Sequence, residues 1–153
     1  MMGGPDTMIA QTIQLALAPV FVLVAIGNIM NILSTRLGRV VDRSRALQVL
    51  FAATSGVDHD KVVREIRTID LRIALIGRAL LLLVLSGLTI GLVVAILFIE
   101  EFAGANLQPV AAAAFLLAIG LMMWALWLFL KETREATAAL RIPKSFLELE
   151  RDL

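Results

Sequence analysis

The chain's one histidine, His59, stands between Asp58 and Asp60, and a D-H-D run gathers side chains that could ligate a metal. Neighbouring residues at a helix start point away from one another, whereas a structural metal needs about four convergent ligands. The two acids are better explained as negative charge at the positive end of a helix dipole, so no metal ligand is assigned. Cysteine is absent, which excludes thiol nucleophiles, iron–sulfur ligation and structural disulfides. No nucleophile, base and orienting group fall together, and no glycine-rich phosphate loop occurs. The expectation is a protein that is not an enzyme, with no catalytic residue and no cofactor.

Polar and charged groups within apolar sequence are more informative. Gln11, Gln14, Ala18, Phe21, Ala25 and Asn28 recur at steps of 3 and 4 and continue through Thr35 to Arg39, which places them on one helix face. Uncompensated polar groups are costly in hydrocarbon, so this stripe either packs against other helices or lines a water path. Arg36, Arg39, Arg43 and Arg45 follow directly as candidate contacts for anionic lipid or a protein partner. Arg78 is a lone charge within an apolar run, either snorkelling towards headgroups or facing a cavity. Gly87 and Gly91 have the GxxxG spacing that lets a second backbone approach closely.

The elements that position these residues follow from hydropathy. Of 153 residues, 59% are hydrophobic and 18% charged, and the mean hydropathy is +0.89, values that point to a membrane protein. Residues 9–33 carry no charge, and at about 1.5 Å per residue they reach roughly 37 Å, enough to cross a bilayer with some tilt. Residues 73–99 contain only Arg78 and residues 110–130 contain no charge, giving second and third spans. The fold class expected is an all-α integral membrane protein forming a single domain. It has transmembrane helices at 9–33, 73–99 and 110–130, a cytoplasmic helical hairpin at 34–72, an outer loop at 100–109 and a cytoplasmic tail at 131–153.

Orientation comes from the basic residues. None precedes the first span, eight lie between the first and second, none lies between the second and third, and five follow the third. The positive-inside rule places the N-terminus outside and the C-terminus in the cytoplasm. No basic segment precedes the first apolar run, which is also too long for a signal peptide, so that run is expected to stay as a span. Net charge is +1, which gives no reason to expect nucleic-acid binding. Trp124 and Trp127 suit an interfacial aromatic belt beside Lys131.

The segment between the first two spans has its own periodicity. Leu33, Leu37, Val40, Ser44, Leu47 and Phe51 on one side, and Val62, Ile66, Ile69, Ile73 and Ile76 on the other, alternate steps of 4 and 3. The first and second spans should therefore continue as two helices packed antiparallel, with a turn at Gly56 and Asp58 as N-cap. After the third span, Lys131 and Glu135 are spaced for an i,i+4 pair, and Ile142-Pro143 should stop the helix. Ser145 and Glu148 then have capping-box spacing for a short final helix.

Ala18-Pro19-Val20-Phe21, Gly27, Asn31 and the run Arg36-Leu37-Gly38-Arg39-Val40-Val41-Asp42-Arg43-Ser44-Arg45 together resemble the signature of domain-of-unknown-function family 2721. That resemblance implies a small three-span protein of the bacterial inner membrane. It implies no activity, substrate or catalytic residue. Two function classes fit the residues. One is a self-associating membrane scaffold or regulatory subunit that presents a basic cytoplasmic hairpin to anionic inner-leaflet lipids or a protein partner. The other is a homo-oligomeric channel lined by the polar face of the first span.

Overall fold

The computed structural model describes residues 5–104 and 106–139. They form three helices, α1 (Pro5–Ala53), α2 (Gly56–Ala103) and α3 (Gln108–Ala139), with no strand among the described residues. Each is long and apolar enough to cross a membrane. At about 1.5 Å per residue, the 49 residues of α1 and 48 of α2 reach more than 70 Å. That is over twice the ~30 Å of a hydrocarbon core. The charged halves of both helices therefore stand beyond the apolar layer as a paired hairpin. The 32 residues of α3 project much less.

Neither long helix breaks between its apolar and charged halves. α1 runs on through Pro19, whose missing N–H removes one backbone bond without ending the helix. The hairpin turns at Thr54-Ser55, and Gly56 takes the left-handed φ of +66° that this reversal needs. Here the structure corrects the expected cap. Because Gly56 already starts α2, Ser55 occupies the N-cap with extended backbone and makes no side-chain capping bond. Asp58 sits within the first turn instead and accepts a 2.8 Å hydrogen bond from Lys61. At the other end of α2, Gly104 is left-handed (φ +63°) and donates its N–H to the Glu100 carbonyl at 3.0 Å, closing the helix.

α2 is the central helix, packing on both neighbours, while α1 and α3 barely touch. Two buried seams at heptad spacing explain this. Ile26, Leu33, Val40 and Leu47 of α1 meet the face of α2 that carries Ile69, Ile76, Leu83 and Ile90. On the other side, Ala79, Ser86 and Val93 of α2 meet Ala111, Ala118 and Ala125 of α3. Small residues let the second pair of backbones approach closely, which is how helices associate where lipid supplies no hydrophobic drive. Ser86 adds a cross-helix bond, its hydroxyl donating to the Ala118 carbonyl at 2.7 Å. Leu81, Leu88, Leu92, Leu116 and Leu117 are left on the outward faces, as lipid-facing residues should be.

The expected Lys131–Glu135 pair is not among the ion pairs of the described residues. Both side chains lie exposed, where such a pair contributes little. The expected helix stop at 142–143 and the Ser145–Glu148 cap lie outside the described residues.

Candidate functional site at the three-helix junction

Following the α2–α3 seam out of the apolar layer leads to a pair of opposite charges. The small positions Ala111, Ala118 and Ala125 of α3 step next to Glu132, and Val93, Ser86 and Ala79 of α2 step next to Arg72. Glu132 is completely buried. Its Oε1 accepts hydrogen bonds from Nε and Nη2 of Arg72, both at 3.0 Å. Its Oε2 lies 3.1 Å from Nη2 of Arg36 on α1, an ion pair without hydrogen-bond alignment. Arg36 is further held by Thr133 Oγ1 at 3.4 Å and lies 5.2 Å from the centre of the Phe129 ring, within cation–π range.

One carboxylate thus ties all three helices together where their apolar runs end. Burying it alone would be strongly unfavourable, and two guanidiniums compensate it. Their side chains remain 25% and 23% exposed, so the bridge lies between protein and solvent rather than within a dry core.

Next to this bridge is a cleft of about 440 Å³ between the charged halves of α1 and α2. Arg36, Arg39, Val40 and Arg43 form one wall and Glu65, Thr68, Ile69 and Arg72 the other, with Ala136 of α3 at one end. Arg43 donates from Nε to Glu65 Oε1 at 2.8 Å, and its Nη2 lies 2.7 Å from the same oxygen. Thr68 turns its hydroxyl to the Arg64 carbonyl. Arg39 is exposed and forms no ion pair among the described residues. Four arginines against Glu65 and the buried Glu132 leave the cleft positive.

Of the basic residues singled out in the sequence, the fold gathers Arg36, Arg39 and Arg43 into this cleft and leaves Arg45 exposed elsewhere. Arg72 and Glu132 are the members that sequence reasoning did not single out. Gln14, Ala18, Phe21, Ala25 and Asn28 are all exposed on α1, outside the Ile26–Leu33 seam. The side chain of Gln11 lies outside the described ones. Arg78 is exposed on α2. The two glycines separate: a Cβ on Gly87 would meet Leu23 and Ile26 of α1, at 3.5 and 4.0 Å, whereas one on Gly91 would meet open space. At the hairpin tip, the His59 ring lies 4.5 Å from that of Phe51. Asp58 beside it is held below the usual carboxylate range by its hydrogen bond and charge pairing with Lys61.

Three apolar helices, two of them prolonged into a charged hairpin and locked by one buried carboxylate, define a small multi-pass membrane protein. The chain belongs to the family described as Protein of unknown function (DUF2721), which matches residues 16–142 and so takes in α1 from within its apolar half, all of α2 and all of α3. No curated protein and no solved structure matches it.

Proposed function

We propose that this protein is a self-associating membrane scaffold, without enzymatic activity, which presents its basic hairpin on the cytoplasmic side of the bacterial inner membrane. The N-terminus would lie outside and the C-terminus inside, as the distribution of basic residues favours. The observation that carries the reading is the position of the polar stripe. Gln14, Ala18, Phe21, Ala25 and Asn28 are exposed, so no described residue of the same chain covers them. Their steps of 4, 3, 4 and 3 form a coiled-coil seam. In copies running parallel through one membrane, Gln14 meets Gln14 and Asn28 meets Asn28, and such amide pairs satisfy each other's hydrogen bonds in hydrocarbon. The hairpin's arginines then face anionic lipid or a protein partner.

The test is disulfide cross-linking in membranes, in a chain with no native cysteine. Asn28→Cys and Phe21→Cys should give covalent dimers on mild oxidation, whereas Ile26→Cys, on the seam with α2, should not. Equal cross-linking at all three positions contradicts the reading.

The alternation of Gln14 and Asn28 about Phe21, which is 69% exposed, favours a second reading. In it, the same face lines a channel constricted by Phe21 in a homo-oligomer.

A further inference from the structure

The arginine cleft combines features that a diffuse basic surface lacks. It is concave, and about 440 Å³ is a volume typical of small-ligand sites. Arginines enter it from two helices, and their planar guanidiniums match the oxygens of a phosphate. Arg36 and Arg72 spend only part of their donors on Glu132 and Thr133. Those same bonds fix the two guanidiniums in place before any ligand arrives. Arg39 has its charge unpaired among the described residues. Val40, Ile69 and Ala136 give the cleft an aliphatic part as well. Its level is also defined: Arg72 and Glu132 lie immediately beyond the apolar runs 73–99 and 110–130, where the phosphates of a bilayer lie.

We infer that this cleft is a specific site for a phosphate-bearing anion. Arg39 is the principal free cation, Arg36 and Arg72 are preorganised by Glu132, and Arg43 is shared with Glu65. The inference deepens the reading of the hairpin as lipid-facing and rests on it. A phospholipid headgroup and a free phosphate compound share this chemistry.

The experiment uses the full chain purified in a zwitterionic detergent, titrated with short-chain phosphatidylglycerol, short-chain phosphatidylcholine or inorganic phosphate. Thermal stabilisation and retained lipid in native mass spectrometry are the readouts. Saturable binding of phosphatidylglycerol but not phosphatidylcholine is expected, weakened about tenfold by Arg39→Gln, since one lost charge-assisted contact is worth roughly one decade of affinity. Arg45→Gln and Arg67→Gln, exposed basic positions off the cleft, should leave binding unchanged. Inorganic phosphate that binds and competes identifies a free anion as sufficient; phosphate that does neither identifies the lipid headgroup. Equal weakening by Arg39→Gln, Arg45→Gln and Arg67→Gln overturns the cleft as a site while leaving lipid contact by the hairpin standing. No preference for phosphatidylglycerol and no binding of phosphate overturns both.

Discussion

Glu132 of α3 accepts two 3.0 Å hydrogen bonds from the guanidinium of Arg72 on α2, and it does so fully buried at the end of a seam otherwise made of alanine, serine and valine. The pair holds α3 to α2 at one level, and Arg36, reaching the same carboxylate from α1, makes the junction of all three helices.

Removing the carboxylate should therefore loosen the bundle. Glu132→Gln leaves two guanidiniums without their counter-charge and is expected to cost on the order of 3 kcal/mol. The exposed Glu135→Gln should cost almost nothing. Thermal unfolding of the purified variants in one detergent measures both, and equal midpoints for the two would remove the structural role assigned to Glu132.

Within the apolar layer, the bond from Ser86 to the Ala118 carbonyl is the cross-helix polar contact of the α2–α3 seam. Ser86→Ala should lower stability by about 0.5–1 kcal/mol, the usual worth of such bonds in membranes. Thr89→Val should change less, because the Thr89 hydroxyl donates to Leu85 in its own helix. Chemical denaturation in mixed micelles would rank the two, and a larger loss for Thr89→Val would contradict the assignment.

The GxxxG pair makes a sharper test than its spacing suggested. Gly87→Leu would push against Leu23 and Ile26 of α1 and should destabilise the chain itself. A Cβ at Gly91 meets no described residue within 4 Å, so Gly91→Leu should chiefly disturb a contact with another molecule. If this face joins copies, Gly91→Leu lowers oligomer size in lipid without lowering the unfolding midpoint. Unchanged oligomer size would exclude Gly91 from the interface.

Topology follows from the positions of the arginines. Reporters fused after residue 7 and at residue 104 should read periplasmic, and those at residue 57 and at the C-terminus cytoplasmic. A cytoplasmic reporter at residue 7 would reverse the orientation and place the arginine cleft on the opposite side.

The sequence was most readable where one pattern dominates. Apolar runs with at most one charge identify three helices long enough to span, and the 4,3 seam from Leu33 to Phe51 and from Val62 to Ile76 foreshadows the continuation of α1 and α2 as a hairpin. The cap was harder to read, because Gly56 with positive φ starts α2 two residues before Asp58. The role of Glu132 was missed because, in sequence, it is one charge beside Lys131. The signal that would have found it is longer in range: the heptad Ala111, Ala118, Ala125 continues to Glu132 just as Val93, Ser86, Ala79 continues to Arg72. Which basic residues converge could not be read from α1 alone, since Arg72 enters the cleft from the antiparallel partner.

In the proposed scaffold, the outward face of α1 meets a second copy of the chain rather than lipid or a water path. Single cysteines replacing Gln14, Ala18, Phe21, Ala25 and Asn28, with Val20 as an exposed comparison outside the stripe, can be probed in membranes with a small charged thiol reagent. Modification requires the thiolate, and so requires water at the site. The scaffold predicts that all of the stripe positions stay unreactive while Asn28→Cys and Phe21→Cys still cross-link between copies. Reactivity along the stripe at Gln14, Ala18, Phe21, Ala25 and Asn28, with Val20 inert, would contradict the scaffold and show a water-filled channel instead.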